Sequence, residues 1–94
     1  MSDLQLQRIE DALIAIVDDL ARLEHERWSH WQTYMHRMGA RQADGSLLIP
    51  HDLVARWDRQ RSTPYVDLSE SEKESDREQV RKYLPFILST IAKS

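Results

Sequence analysis

Four histidines and three tryptophans, with charged residues close by, are the side chains of this chain that could do chemistry. His25, His30 and His36 are five and six residues apart, and His51 lies further on. Two ligands on one helical face need a spacing of three or four, so these histidines do not make a ligand set. His25-Glu26 opens like the helix motif of zinc proteases, yet the next histidine comes five residues later instead of four. No metal is expected. The absence of cysteine removes disulfides, thiolate zinc clusters, a cysteine nucleophile and iron–sulfur sites. Two glycines cannot build a phosphate loop, and no nucleophile elbow or dinucleotide fingerprint occurs, so neither an enzyme nor a cofactor is expected.

What remains is a constellation suited to binding. Trp28, Trp31, Trp57 and Tyr65 flank the middle of the chain. They can serve as core for a small domain, the reading preferred for Trp57 and for at least one of Trp28 and Trp31. An indole pair can also form a stacking slot for a planar base, with His25, Arg27 and Arg77 as polar partners. His25 precedes Trp28 by three residues, on the same helical face, and Lys73, Asp76 and Arg77 follow the same i, i+3, i+4 geometry. If the helices carrying them pack together, Asp76 or Arg77 can reach His25, as a structural ion pair or as part of a ligand pocket.

The elements that must position these residues are helical. The chain has 94 residues, of which 40% are hydrophobic and 31% charged, with a net charge of −3. That length suggests one domain near the lower limit for burying its own core, where a partner chain helps. A pI near 5.7 argues against a nucleic-acid module. No apolar run approaches the ~20 residues that span a bilayer, and Met1-Ser2-Asp3-Leu4 lacks the basic start of a secretory signal, so a cytoplasmic location is expected.

All but one of the glycines and prolines lie between residues 39 and 64, leaving a helical arm on each side. The first arm is expected over about Asp3 to Met38, capped by Ser2 or Asp3 and stopped by Gly39 in the left-handed region. Leu6, Ile9, Leu13, Ile16, Leu20 and Leu23 alternate spacings of three and four, a heptad seam able to drive pairing, and a homodimer is expected through it. A continuous bent helix and a break near Asp18-Asp19 are both compatible with this arm. In the middle, Asp44-Gly45 suits a tight turn or miniature hairpin, and Pro50 suits the first residue of a short helix reaching about Arg61. Thr63 must be extended before Pro64. Ser69 and Glu72 form a capping box that opens the second arm, whose expected buried face is Val80, Tyr83, Leu84, Ile87, Leu88 and Ile91. Pro85 should kink this helix or restart it. The fold class is all-α.

Two motifs in this arrangement resemble the ryanodine receptor repeat (RyR) domain family. The segment from Thr63-Pro64-Tyr65 through Leu68-Ser69, Lys73 and Asp76-Arg77 looks like the family's extended proline strip followed by a Leu-Ser-x-x-x-Lys-x-x-Asp-Arg helix start. His25-Glu26-Arg27-Trp28 is similar to its His-x-x-Trp signature. The Gly-Trp-x-Tyr-Gly common after that signature is replaced here by Tyr34-Met35-His36-Arg37-Met38-Gly39, and the stretch from Ser46 to Arg61 looks like an added turn and helix. The likeness covers roughly residues 19 to 92. It divides the chain into a heptad extension over 1–18 and a RyR-repeat-like domain over 19–94. The resemblance implies a small helical fold without catalytic activity, of the stand-alone bacterial or phage type, binding a nucleotide or nucleotide-derived signal. The residues it carries over for that ligand are His25, Trp28, Tyr65 and Arg77, with Lys73 and Asp76. The competing expectation is an assembly module that works through its helices alone.

Overall fold

Ser2 begins the ordered structure with a reciprocal cap: its hydroxyl accepts the Gln5 N–H at 3.1 Å, and the Gln5 carboxamide accepts the Ser2 N–H at 2.8 Å. In this computed structural model, which describes residues 1–93, the cap opens α1, Asp3–Ala15. One residue later comes α2, Val17–Met38. The interruption is Ile16 alone, at φ −100° and ψ 11°, while its carbonyl already accepts the Leu20 N–H at 3.0 Å. The first arm therefore covers the expected residues, but its break lies at Ile16 and not at Asp18-Asp19.

Gly39 ends α2 without entering the left-handed region, contrary to expectation; the one glycine at positive φ is Gly45, at 89°. Gly39 sits at a close approach, where an added Cβ would lie 3.2 Å from Leu47 Cδ2 and the leucine side chain would have to give way slightly. Around Gly45 the expected miniature hairpin forms, with β1 (Ala40–Arg41) antiparallel to β2 (Leu47–Leu48) and Ala40 opposite Leu48. Asp44 accepts the Ser46 hydroxyl at 2.6 Å and its N–H at 3.0 Å, which fixes the turn. Pro50 stands just outside α3 (His51–Ser62) as its N-cap, not inside as the first helical residue. Thr63 is extended, at φ −95° and ψ 125°, as its place before proline requires.

A 3-10 turn over Tyr65–Asp67 leads to α4, Glu70–Lys93. Ser69 caps α4 as expected: it accepts the Glu72 N–H at 3.2 Å and donates its hydroxyl to Glu72 Oε1 at 2.7 Å. Pro85 neither ends nor restarts α4, which runs through it as one helix. The architecture is all-α apart from the two-residue strands. No helix among the described residues is long and apolar enough to cross a membrane.

The chain divides into two compact units, one of residues 1–27 with 75–94 and the other of residues 28–74. These units do not follow the division at residues 18 and 19, which rests on motif boundaries. In the first unit α4 runs antiparallel to α1 and α2, since Tyr83 meets Glu24 while Ile91 and Ile9 line one cleft. Ile9, Leu13, Ile16, Leu20 and Leu23 are half-buried there, as are Tyr83 and Ile87 across from them, but Leu6 is exposed. The face expected to be buried on α4 is only partly covered, because Val80, Leu84, Leu88 and Ile91 are exposed. In the second unit Trp57 of α3 packs edge-on against Trp31 of α2 at 5.2 Å between ring centroids, with Tyr34 beside both. No described residue is fully buried in either unit.

Candidate functional site

The residues singled out for ligand binding are shared between the two units. His25, Asp76 and Arg77 belong to the first, and Trp28, Tyr65 and Lys73 to the second. Within the second unit, Lys73 Nζ sits 5.9 Å from the centroid of the Tyr65 ring, a cation–π distance. The same ammonium lies 3.6 Å from Glu70, one turn earlier on α4. Tyr65 keeps 50% of its surface exposed and Trp28 keeps 57%, so neither is enclosed by its own unit. The Trp31, Tyr34 and Trp57 cluster is the packing between α2 and α3, in keeping with the core reading of Trp57 and Trp31.

The capping carboxylate adds electrostatic definition nearby. Glu72 is held below its ordinary value first by the Ser69 hydroxyl, then by the Gln60 side chain, the Ser69 N–H and the Arg59 charge, against desolvation. Arg59 stands 3.8 Å away on α3, and Glu72 Oε2 is covered without a hydrogen-bond partner. This carboxylate joins the end of α3 to the start of α4 and is an anchor of the second unit.

In the first unit a shallow groove of about 460 Å³ is lined by Glu24, Arg27, Asp76, Gln79, Val80 and Tyr83. Tyr83 donates its hydroxyl to Glu24 Oε2, and Arg27 Nη2 pairs with Glu24 Oε1. Hydrogen bonds from Arg27 and then Tyr83 hold the Glu24 carboxyl below its ordinary value. The same carboxylate raises Tyr83, with desolvation as the second cause, and raises Arg27. A tyrosine pushed upward stays protonated at neutral pH and cannot act as a base. Each member of the trio satisfies another, which makes a clasp between α2 and α4.

Sequence reasoning brought Asp76 and Arg27 to this neighbourhood but missed Glu24 and Tyr83. The Glu24/Arg27 spacing of three was a visible signal for half of the clasp; Tyr83 is 59 residues from Glu24 and gives none. Among the described residues, no group of three His, Cys, Asp or Glu side chains could hold a metal ion. Comparison with family models, with curated proteins and with solved structures finds no match, so the likeness to the ryanodine receptor repeat rests on its motif residues.

Proposed function

We propose that this chain is a cytoplasmic, non-enzymatic interaction module of the ryanodine receptor repeat type whose activity is helix-mediated self-assembly. One observation carries the reading: no described residue is fully buried, while Val80, Leu84, Leu88 and Ile91 leave between 42% and 65% of their surface exposed along one side of α4. Apolar surface left in water forfeits about 25 cal/mol per Å², and a contiguous patch of this kind marks an interaction site. Sedimentation equilibrium over a range of concentrations tests it. A mass near twice 11.1 kDa is expected, whereas a monomer persisting to ~100 μM would discard the reading.

A second reading, a module for a nucleotide or nucleotide-derived signal, is favoured by the exposure of Trp28 and Tyr65 and by the Lys73 ammonium over the Tyr65 ring. A calorimetric panel of adenine nucleotides, NAD derivatives and cyclic nucleotides tests this reading. Binding that weakens in Tyr65→Ala is expected; if nothing binds more tightly than about millimolar, roughly 4 kcal/mol, the ligand reading fails.

A further inference from the structure

The geometry points to Asp44–Gly45 as the place where this chain rearranges spontaneously to isoaspartate, with the Ser46 hydroxyl as the group that restrains the reaction in the folded hairpin. Neither reading of the function is needed for it.

The rearrangement requires nothing but water. The Gly45 nitrogen bonds to Asp44 Cγ, and its proton leaves with the hydroxyl of the carboxyl group as one water, closing a five-membered cyclic imide. Water then adds back and cleaves either C–N bond of the imide. One cleavage restores aspartate; the other leaves the main chain running through Asp44 Cβ and Cγ. Two conditions govern the rate. The nitrogen must be free to approach Cγ, and the carboxyl must be protonated, because an ionised carboxylate is a poor acceptor with no neutral leaving group.

The sequence narrows the reaction to one residue. The chain has no asparagine, so deamidation, the faster route to the same imide, is closed. Asp44 is the one aspartate followed by glycine, whose missing side chain leaves the attacking nitrogen unobstructed. Every other aspartate stands inside α1, α2, α3, α4 or the 3-10 turn, where regular structure fixes the backbone dihedrals. Asp44 lies in the exposed loop between β1 and β2.

In the folded hairpin both reacting groups are occupied. Gly45 donates its N–H to the Gln42 carbonyl at 3.0 Å, and its own carbonyl accepts Arg41 Nη1 at 3.0 Å. Asp44 Oδ1 accepts the Ser46 hydroxyl at 2.6 Å and the Ser46 N–H at 3.0 Å. Those two bonds, the hydroxyl first, hold the carboxyl below its ordinary value and so keep it in the unreactive ionised form. Gln42 closes the loop by donating its N–H to the Ser46 carbonyl at 2.8 Å.

The product does not fit this loop. Isoaspartate lengthens the main chain by a methylene and takes Cγ out of the side chain, so the bonds from Ser46 to Oδ1 are lost. Loop length sets the pairing of Ala40 with Leu48 and of Arg41 with Leu47. That pairing also brings Leu47 against Gly39. Isomerisation therefore loosens the hairpin.

The test is to incubate the full chain in warm neutral buffer, folded or in guanidinium chloride, and to locate and count isoaspartate by mass spectrometry of its peptides. Isoaspartate is expected at Asp44, forming more slowly in the folded chain than in the unfolded one. Ser46→Ala is expected to speed the folded reaction by about fivefold or more, the ratio that accompanies loss of one hydrogen bond of ordinary net strength, and to leave the unfolded reaction unchanged. Ser46→Thr keeps a hydroxyl and is expected to keep the slow rate. Equal rates in the folded and unfolded wild-type chain, or isoaspartate arising at another aspartate, overturn the proposal. So does a Ser46→Ala chain that reacts as slowly as wild type, or one that gains as much when unfolded. Should Ser46→Ala fail to fold, Ser46→Thr and the wild-type ratio of folded to unfolded rates decide.

Discussion

Tyr83 donates its hydroxyl to Glu24, so each should report on the other's removal. Glu24 is the group with the lowered value, so its contribution to stability is present above the ordinary carboxylate value of 4.5 and is lost as pH falls through its folded value. Tyr83 is raised, so its contribution is present below 10.0 and is lost as pH rises through its folded value. In Glu24→Gln the Tyr83 titration, followed by tyrosinate absorbance against a Tyr83→Phe control, is expected to move down towards 10.0. An unchanged titration would mean that the clasp is absent in solution. The same variant should flatten the acid limb of the stability curve. At this scale the sequence exposed what is local: Glu24 and Arg27 are three apart, as are His25 and Trp28. It did not expose Tyr83, because nothing in the neighbourhood of residue 83 depends on residue 24 until the chain has folded.

Elements whose ends are written in short motifs were the most legible part of the chain. Ser69 with Glu72, Asp44-Gly45 and Thr63 before Pro64 each act through bonds within four residues, so their effect can be read without knowing the tertiary structure. Removing the Ser69 hydroxyl takes away both the acceptor for the Glu72 N–H and the donor to its carboxylate. Ser69→Ala is expected to cost about 1 kcal/mol in urea-induced unfolding. A loss within error of zero would show that the start of α4 is held by the Arg59 and Gln60 contacts instead. Gly39 and Ile16 were read less well, for different reasons. Gly39 suited a left-handed helix stop by type, but what distinguishes its position is the close approach of Leu47 across the hairpin. Ile16 carries no breaking tendency, so its departure from helical dihedrals left no mark in the residue types around it. Pro85 is tolerated inside α4 although its own preference opposes that, the usual outcome when tertiary context outweighs propensity.

For the molecule as a whole, self-assembly predicts a stability that depends on concentration. If folding and dimerisation are coupled, a tenfold rise in protein concentration should raise the thermal midpoint by about 3 °C for a chain of this size. A midpoint independent of concentration would separate folding from assembly. The all-α class was legible because glycine and proline gather in the middle and leave long helical stretches on either side. The pairing of the two ends was not, since periodicity shows that a helix has an apolar side without naming what covers it. That pairing has a consequence for biosynthesis. The unit of residues 1–27 with 75–94 joins two segments separated in the chain, whereas residues 28–74 are contiguous. Translation thus delivers α1 well before its mate, and the intervening segment can fold first and shorten the loop left to close. A premature stop or a proteolytic cut ahead of Tyr83 would remove more than the last turns of a helix: it would leave the amino-terminal apolar stripe with nothing to pack against, a product suited to chaperone capture and degradation.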